Sequence, residues 1–202
     1  MEKKILFVLA IEEQGIKFWG DKVFNEKIVA ISQYKLDDID FNEYSGIILS
    51  LYVDQYLLLE LKEKLKTFLN NGNKIFLNGH IFKPFLEELN TFIPIEKPKL
   101  KDFKITQLAE HTVYKGIDVA KLFKRKGVAG FFGRGMNPPP KGANNIIAIK
   151  NGQTIVDWEY KINTGALYVH SGNDLWACME CFEDNFKLFK NIIEWIEKEN
   201  HE

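Results

Sequence analysis

Arginine is nearly absent from this chain of 202 residues: apart from Arg125 and Arg134, all of the basic charge is lysine. Arginine is the side chain that reads bases and phosphates with paired hydrogen bonds, so its scarcity argues against a nucleic-acid reader. An excess of one charge is lacking too. The formal net charge is -1, too small to draw DNA or an acidic membrane. No apolar run approaches the roughly 18 residues of a membrane span. The first apolar run ends at Ile11, where Glu12 and Glu13 follow without a small-residue cleavage site. The expectation is a buried first strand rather than a signal peptide, and a cytoplasmic protein in which Cys178 and Cys181 are reduced. Neither a Gly-Lys-Ser/Thr phosphate loop nor G-x-G-x-x-G occurs, so the sequence names no cofactor.

What is present fits one globular domain spanning residues 1–202. Apolar residues make up 46% and charged residues 27%, enough for a proper core under a solvated surface. Short apolar runs recur: ILFVLA (5–10), KIVAI (27–31), GIILSLY (46–52), KIFLN (74–78), NIIAI (145–149) and ALYVH (166–170). Their continuous rather than alternating apolarity predicts strands buried on both faces, as in a parallel sheet. After Asp54, an N-cap, the residues Leu58, Leu61, Leu65 and Phe68 make one helix face that stops at Gly72. A second helix is expected over about residues 82–90, with Pro84 in its first turn. The last helix carries the stripe Phe182, Phe186, Phe189, Ile193 and Ile196. Between residues 94 and 165 lie DFKITQL, GVAGFFG, NNIIAIK and TIVDWEY, read as an antiparallel extension. NPPPKGA (137–143) reads as a stiff surface loop. The fold class is therefore α/β: a flavodoxin-like, mostly parallel sheet flanked by helices, with an antiparallel extension in the second half.

Open parallel sheets bind ligands beyond the carboxyl ends of their strands. Those ends hold IEEQG (11–15), YVDQ (52–55), NGHIF (78–82) and HSGNDLW (170–176). His80 stands where the chain turns from strand to expected helix, and Gly79 supplies the backbone freedom for that turn. The helix N-terminus there would favour an anion, with the turn amides available to an oxyanion. His170 ends the last strand, with Asn173, Asp174 and Trp176 within one turn. His80 and His170 are the candidate general bases and Asp174 the group that orients an imidazole or holds a cation. Asp54, Gly79, Asn173 and Trp176 are candidate ligand contacts, Trp176 as an apolar wall. The competing readings are helix capping for Ser171, Asn173 or Asp174 and core packing for Trp176. Arg134, in the glycine-rich GFFGRGMNPPPKG (130–142), is either the tip of a flap that reaches an anionic ligand or part of a surface hairpin. His111 is expected to begin a turn before a short helix.

GIILSLYVDQYLLLELKEKLKTFLNNGNKIFLNGH, then HTVYKGID, then TGALYVHSGNDLW with its amphipathic helix, resemble the class I glutamine amidotransferase-like superfamily, closest to its ThuA-like branch. That resemblance implies a nucleophile elbow after one strand and a catalytic histidine after a later one. The chain departs from the pattern at the elbow. His80 stands where the cysteine of G-x-C-x-G would, neither flanking glycine is in place, and His170 is followed by Ser171 and Gly172 rather than by the family's His-x-Glu spacing. Without a thiol, glutamine hydrolysis has no nucleophile. The expectation is a domain without glutaminase activity that binds or hydrolyses a small polar metabolite or sugar. The alternative is a catalytically silent scaffold or interaction subunit. Association into a homo-oligomer is left open.

Cys178 and Cys181 form C-x-x-C, which in a cytosolic protein is read either as a redox pair or as half of a metal site, against the competing structural reading; a redox role is left open. A zinc site needs about four ligands and no second pair exists, so no metal is assigned. Cys181, one residue before the apolar stripe, is read as core.

Overall fold

The computed structural model describes residues 3–11 and 26–198. Residues 12–15 of the first strand-end segment, and His201, lie outside the described residues. Twelve strands and three α-helices are described. Strand β1 is Lys4–Leu9, β2 Ile28–Ser32 and β3 Tyr44–Leu49. Helices α1 (Gln55–Glu60) and α2 (Lys62–Asn70) follow, then β4 (Lys74–Asn78). The short strands β5 (Ile93–Pro94), β6 (Thr106–Gln107), β7 (Lys124–Arg125), β8 (Val128–Ala129) and β9 (Gly135–Met136) precede β10 (Asn144–Ile149), β11 (Thr154–Ile162), β12 (Gly165–His170) and α3 (Glu183–Glu197).

One eight-stranded sheet organises the chain in the order β2-β1-β3-β4-β12-β11-β10-β6. The pairs from β2 to β12 are parallel, and those from β12 to β6 antiparallel. This is the expected α/β architecture with its antiparallel extension. The continuous apolar runs have a direct cause: every residue of β4 and β12 is buried, because both faces are covered. Alternate residues feed two cores. Ile75, Leu77, Leu167 and Val169 pack under α1 and α2 with Leu58, Leu61, Leu65 and Phe68. Phe76 and Tyr168 face α3 with Phe189, Ile192, Ile193 and Ile196. Phe76 and Tyr168 are register partners, and their rings stack 4.6 Å apart.

Lys74 shows how the sheet grips α3. Its side chain is buried at the start of β4, and its ammonium donates to the carbonyls of Trp195 and Lys198 at the end of the helix. A cation at that end meets the free carbonyls and the negative pole of the helix. Burial holds this lysine below its ordinary pKa.

Three sequence expectations change. Residues 82–90 form no helix; turns and loops carry Ile81, Phe85, Leu86 and Leu89 into the core. Pro84 therefore opens no helix, and apolar spacing alone mimicked a helical face. DFKITQL and GVAGFFG contribute only the two-residue strands β6 and β8, since their glycines and 3-10 turns interrupt pairing. NPPPKGA is not wholly a surface loop, because its first residue, Asn137, is fully buried. Three others stand: Asp54 caps α1 through the Tyr56 amide, Gly72 ends α2 at φ +88°, and His111 caps the 3-10 turn Thr112–Tyr114.

Gly165 starts β12 where it crosses the end of α2. A Cβ there would lie 2.2 Å from the Leu69 carbonyl oxygen and 2.6 Å from that of Asn73. Both are backbone atoms that cannot swing away. Gly165→Ala should therefore lower stability by about 2 kcal/mol or more, read as a drop in the urea midpoint with an unchanged slope.

Candidate functional site

The carboxyl ends of β3, β4 and β12 lie side by side, and buried side chains lock them together. Asp174 is the central one. Its carboxylate accepts the Ser50 hydroxyl and the Leu51 amide, each at 2.8 Å, and so joins the end of β3 to the segment after β12. Asn78 adds a second tie, donating to the Leu49 carbonyl and accepting the Leu175 amide. Burial pushes Asp174 from 3.8 up to about 6, against the opposing pull of the Leu51 and Ser50 hydrogen bonds and of His170.

Gly79 makes the turn that exposes His80. Its φ of +106° is a conformation for glycine, and a Cβ would lie 2.8 Å from the Leu51 Cα. The Gly79 amide donates to the His170 carbonyl at 2.9 Å, which holds the two strand ends in register. The turn is then clamped from both sides. Asn137 donates to the Gly79 carbonyl at 2.7 Å and accepts the Ile81 amide at 2.9 Å. Gln55 donates to the His80 carbonyl and accepts the amides of Phe82 and Lys83. These contacts revise the expected anion site: the amides of Ile81, Phe82 and Lys83 already have side-chain acceptors, and no helix follows the turn.

His80 itself is half-buried and stacks on Phe92, with ring centroids 3.6 Å apart. Burial first, and the charge of nearby His170 second, hold it below its ordinary pKa. It lines a pocket of about 150 Å³ together with Leu51, Gln55, Gly79, Phe82, Gly172 and Asn173. His80, Gly79 and Asn173 thus converge as the sequence suggested.

His170 lies behind that pocket. It is 1% exposed, and its Nδ1 lies 2.7 Å from an oxygen of Asp157, its register partner on β11. The other oxygen of Asp157 accepts the hydroxyls of Tyr114 and Tyr168, at 2.6 and 2.7 Å. Burial, reinforced by Asp157, drives both tyrosines well above their ordinary pKa. Nε2 of His170 has no hydrogen-bond partner among the described residues. It borders a different cavity, an apolar one of about 10 Å³ lined by Phe132, Val156 and Leu175, which is about the room of one water. Gly172 is the partition: a Cβ on it would meet the Phe132 carbonyl oxygen at 2.2 Å and Nε2 of His170 at 2.8 Å.

The remaining predicted contacts lie apart from the pocket. Trp176 is 5% exposed and packs edge-on against Phe7 and Phe189, so it is core and walls no ligand. Asp54 is an exposed helix cap. Arg134 lies over the Phe103 ring and donates to the Ala129 carbonyl, which is the hairpin reading rather than a flap over His80. Among the described residues, no group of three or more His, Cys, Asp or Glu could hold a metal ion. Sequence reasoning missed Gln55, Asn137, Asp157 and Tyr114. Asp157 carried a signal, since an ionisable residue inside the apolar strand TIVDWEY must find buried partners.

No family model matches the chain, and no curated protein matches it. Solved structures do. Cytoplasmic protein STM3548 from Salmonella typhimurium is 13% identical with a TM-score of 0.61, covering 95% of this chain and 98% of that one. Cytoplasmic protein STM1381 from Salmonella typhimurium LT2 is 8% identical with a TM-score of 0.56, covering 96% and 100%. The exo-beta-1,4-mannosidase Op5Man5 from Opitutaceae bacterium strain TAV5 is 8% identical with a TM-score of 0.51, covering 96% of this chain and 36% of that one. At these identities the likeness is one of fold. Among the described residues, no helix is long and apolar enough to cross a membrane.

Two outcomes test the locks. Asn137→Ala strands the Gly79 carbonyl and the Ile81 amide and should cost about 2–4 kcal/mol in chemical unfolding. For Asp174, the folded pKa lies above the unfolded one. Its contribution is complete below about 4 and is lost as pH rises through about 6. Asp174→Asn, which can keep both hydrogen bonds, should flatten that decline and match or exceed the parent's stability at neutral pH. Asp174→Ala should lose about 2–3 kcal/mol there.

Proposed function

We propose that this domain binds a small polar ligand of the sugar type in the pocket at His80, and that it has no glutaminase activity. The pocket itself carries the reading. It sits at the carboxyl ends of three adjacent strands, and His80 is the one titratable side chain among the described residues that lines it. Its polar atoms are a turn imidazole and the carboxamides of Gln55 and Asn173. Its walls include Phe82 and Leu51. Hydroxyl-rich ligands are recognised by such a mixture of fixed polar groups and apolar surface. The fold's recurrence within a mannosidase favours the same ligand class.

Hydrolysis is the less favoured version. The Asp157–His170 pair has the geometry of an oriented base, but its free nitrogen lies behind Gly172 and Phe132, and the turn amides are committed to Gln55 and Asn137. A scaffold role has one observation on its side: Tyr52, Tyr56 and Phe82 are each at least 60% exposed near the pocket's end of the sheet. Exposed aromatics of this kind also anchor protein partners.

The test is a proton NMR titration of His80 against a panel of neutral and acidic sugars. A binding ligand should shift the His80 ring signals and their titration midpoint, leave His111 unmoved, and lose at least tenfold in affinity in His80→Ala. A panel that moves no His80 signal, while a protein partner protects Tyr52 and Phe82, would establish the scaffold reading instead.

A further inference from the structure

The C-x-x-C pair is the motif that the pocket does not absorb, and its surroundings have specific geometry. Residues 178–181 form a turn closed by the Cys181 amide donating to the Cys178 carbonyl at 2.9 Å. Such a turn brings its end Cα atoms within about 7 Å, which overlaps the span that a disulfide bridges. Cys178 holds a φ of +66°, uncommon for a residue with a side chain. Cys181 is exposed rather than core, and Cys178 is partly exposed, so neither residue of the pair is buried.

The flanks of the turn are fixed. Asn185, in the first turn of α3, donates to the carbonyls of Leu175 and Ala177 and accepts Nε of Arg125. The segment before the turn and the helix after it are thereby joined independently of the sulfurs.

The nearest cations come from the hairpin β7–β8. Its tip, Lys126-Gly127, has φ of +46° and +80°, the two positive values of a tight hairpin turn. That tip brings the Lys126 ammonium to Cys178 and Cys181; the two sulfurs are the main reason its pKa is raised. Glu180, within the turn, is the anionic counterweight, 3.8 Å from the same ammonium. Arg125, 5% exposed, keeps one guanidinium nitrogen without a hydrogen-bond partner among the described residues, 3.8 Å from Asp184. A thiolate is the attacking species in disulfide exchange.

We propose that Cys178 and Cys181 are a reversible dithiol–disulfide pair that exchanges with small-molecule disulfides. The exposed Cys181 thiolate attacks one sulfur of a disulfide RSSR, forms a mixed disulfide and releases RS⁻. The Cys178 thiolate then attacks Sγ of Cys181, forms the Sγ–Sγ bond and releases the second RS⁻. The two thiol protons end on the two released thiolates. The dithiol gives up two electrons and RSSR takes them, so the products are one internal disulfide and two RSH.

The experiment is incubation of the reduced protein with oxidised glutathione, followed by an iodoacetamide quench and intact-mass measurement. The parent should lose two hydrogens, take no alkyl group and recover both thiols in dithiothreitol. Cys178→Ser should stop at a stable glutathione adduct on Cys181. Lys126→Gln should slow closure about threefold or more at low ionic strength. Because both cysteines are at least partly exposed, these variants should keep the parent's circular dichroism. A parent that ends doubly alkylated, or that stops at a glutathione adduct without losing two hydrogens, overturns the proposal. So does a Lys126→Gln variant that closes at the parent's rate.

Discussion

The buried carboxylate of Asp174 is the constraint on which the pocket end of this molecule depends. Strand ends in an open sheet have unpaired backbone groups and would splay apart without a tie. Here one side chain satisfies a hydroxyl and an amide at the end of β3 while belonging to the segment after β12. Asn78 and the Gly79 amide complete the connection through β4. Three strands that are distant in sequence are thus held in one geometry. The cost is a carboxylate kept away from water, visible as a pKa raised to about 6. That cost is tolerable because each carboxylate oxygen has a donor.

The two histidines at this end illustrate how burial divides labour between chemically identical groups. His80 stands on a glycine turn, stacked on Phe92 and open on one side. His170 is one strand over, yet sealed, with Asp157 holding one nitrogen and two tyrosines holding Asp157. A buried network with every member satisfied stiffens a core; one with an open nitrogen leaves a polar atom in an apolar cavity. Gly172 and Phe132 lie between the two environments. Any side chain at that position would collide with both the Phe132 carbonyl and the imidazole.

The clamps around the turn also explain why an elbow-like sequence does not make an elbow-like site. An elbow stabilises developing charge with free backbone amides. In this chain Gln55 and Asn137 accept the amides of Ile81, Phe82 and Lys83, so those donors are already taken and the turn is held in place. Rigidity suits recognition of a ligand by fixed polar groups. It offers little to a reaction whose transition state needs new donors.

Much of the fold was legible in the residues alone. The six apolar runs became strands of the central sheet, and the spacing of Leu58, Leu61, Leu65 and Phe68 became a buried helical face. Both are periodic signals carried by neighbouring residues, and the two-sided burial of β4 and β12 follows from continuous apolarity. The phantom helix at residues 82–90 marks the limit of such signals: Phe85, Leu86 and Leu89 are buried, but by a loop. The site was half legible. His80, Gly79 and Asn173 share the pocket because strand ends and glycine turns are local features. Tertiary structure alone sent Trp176 to the core, gave Asp174 to Ser50 and Leu51, sealed His170 beside Asp157 and recruited Asn137 from a proline-rich loop. Those outcomes rest on contacts between residues from 13 to 124 or more positions apart, and side-chain burial is settled by what packs against a residue rather than by its neighbours in the chain.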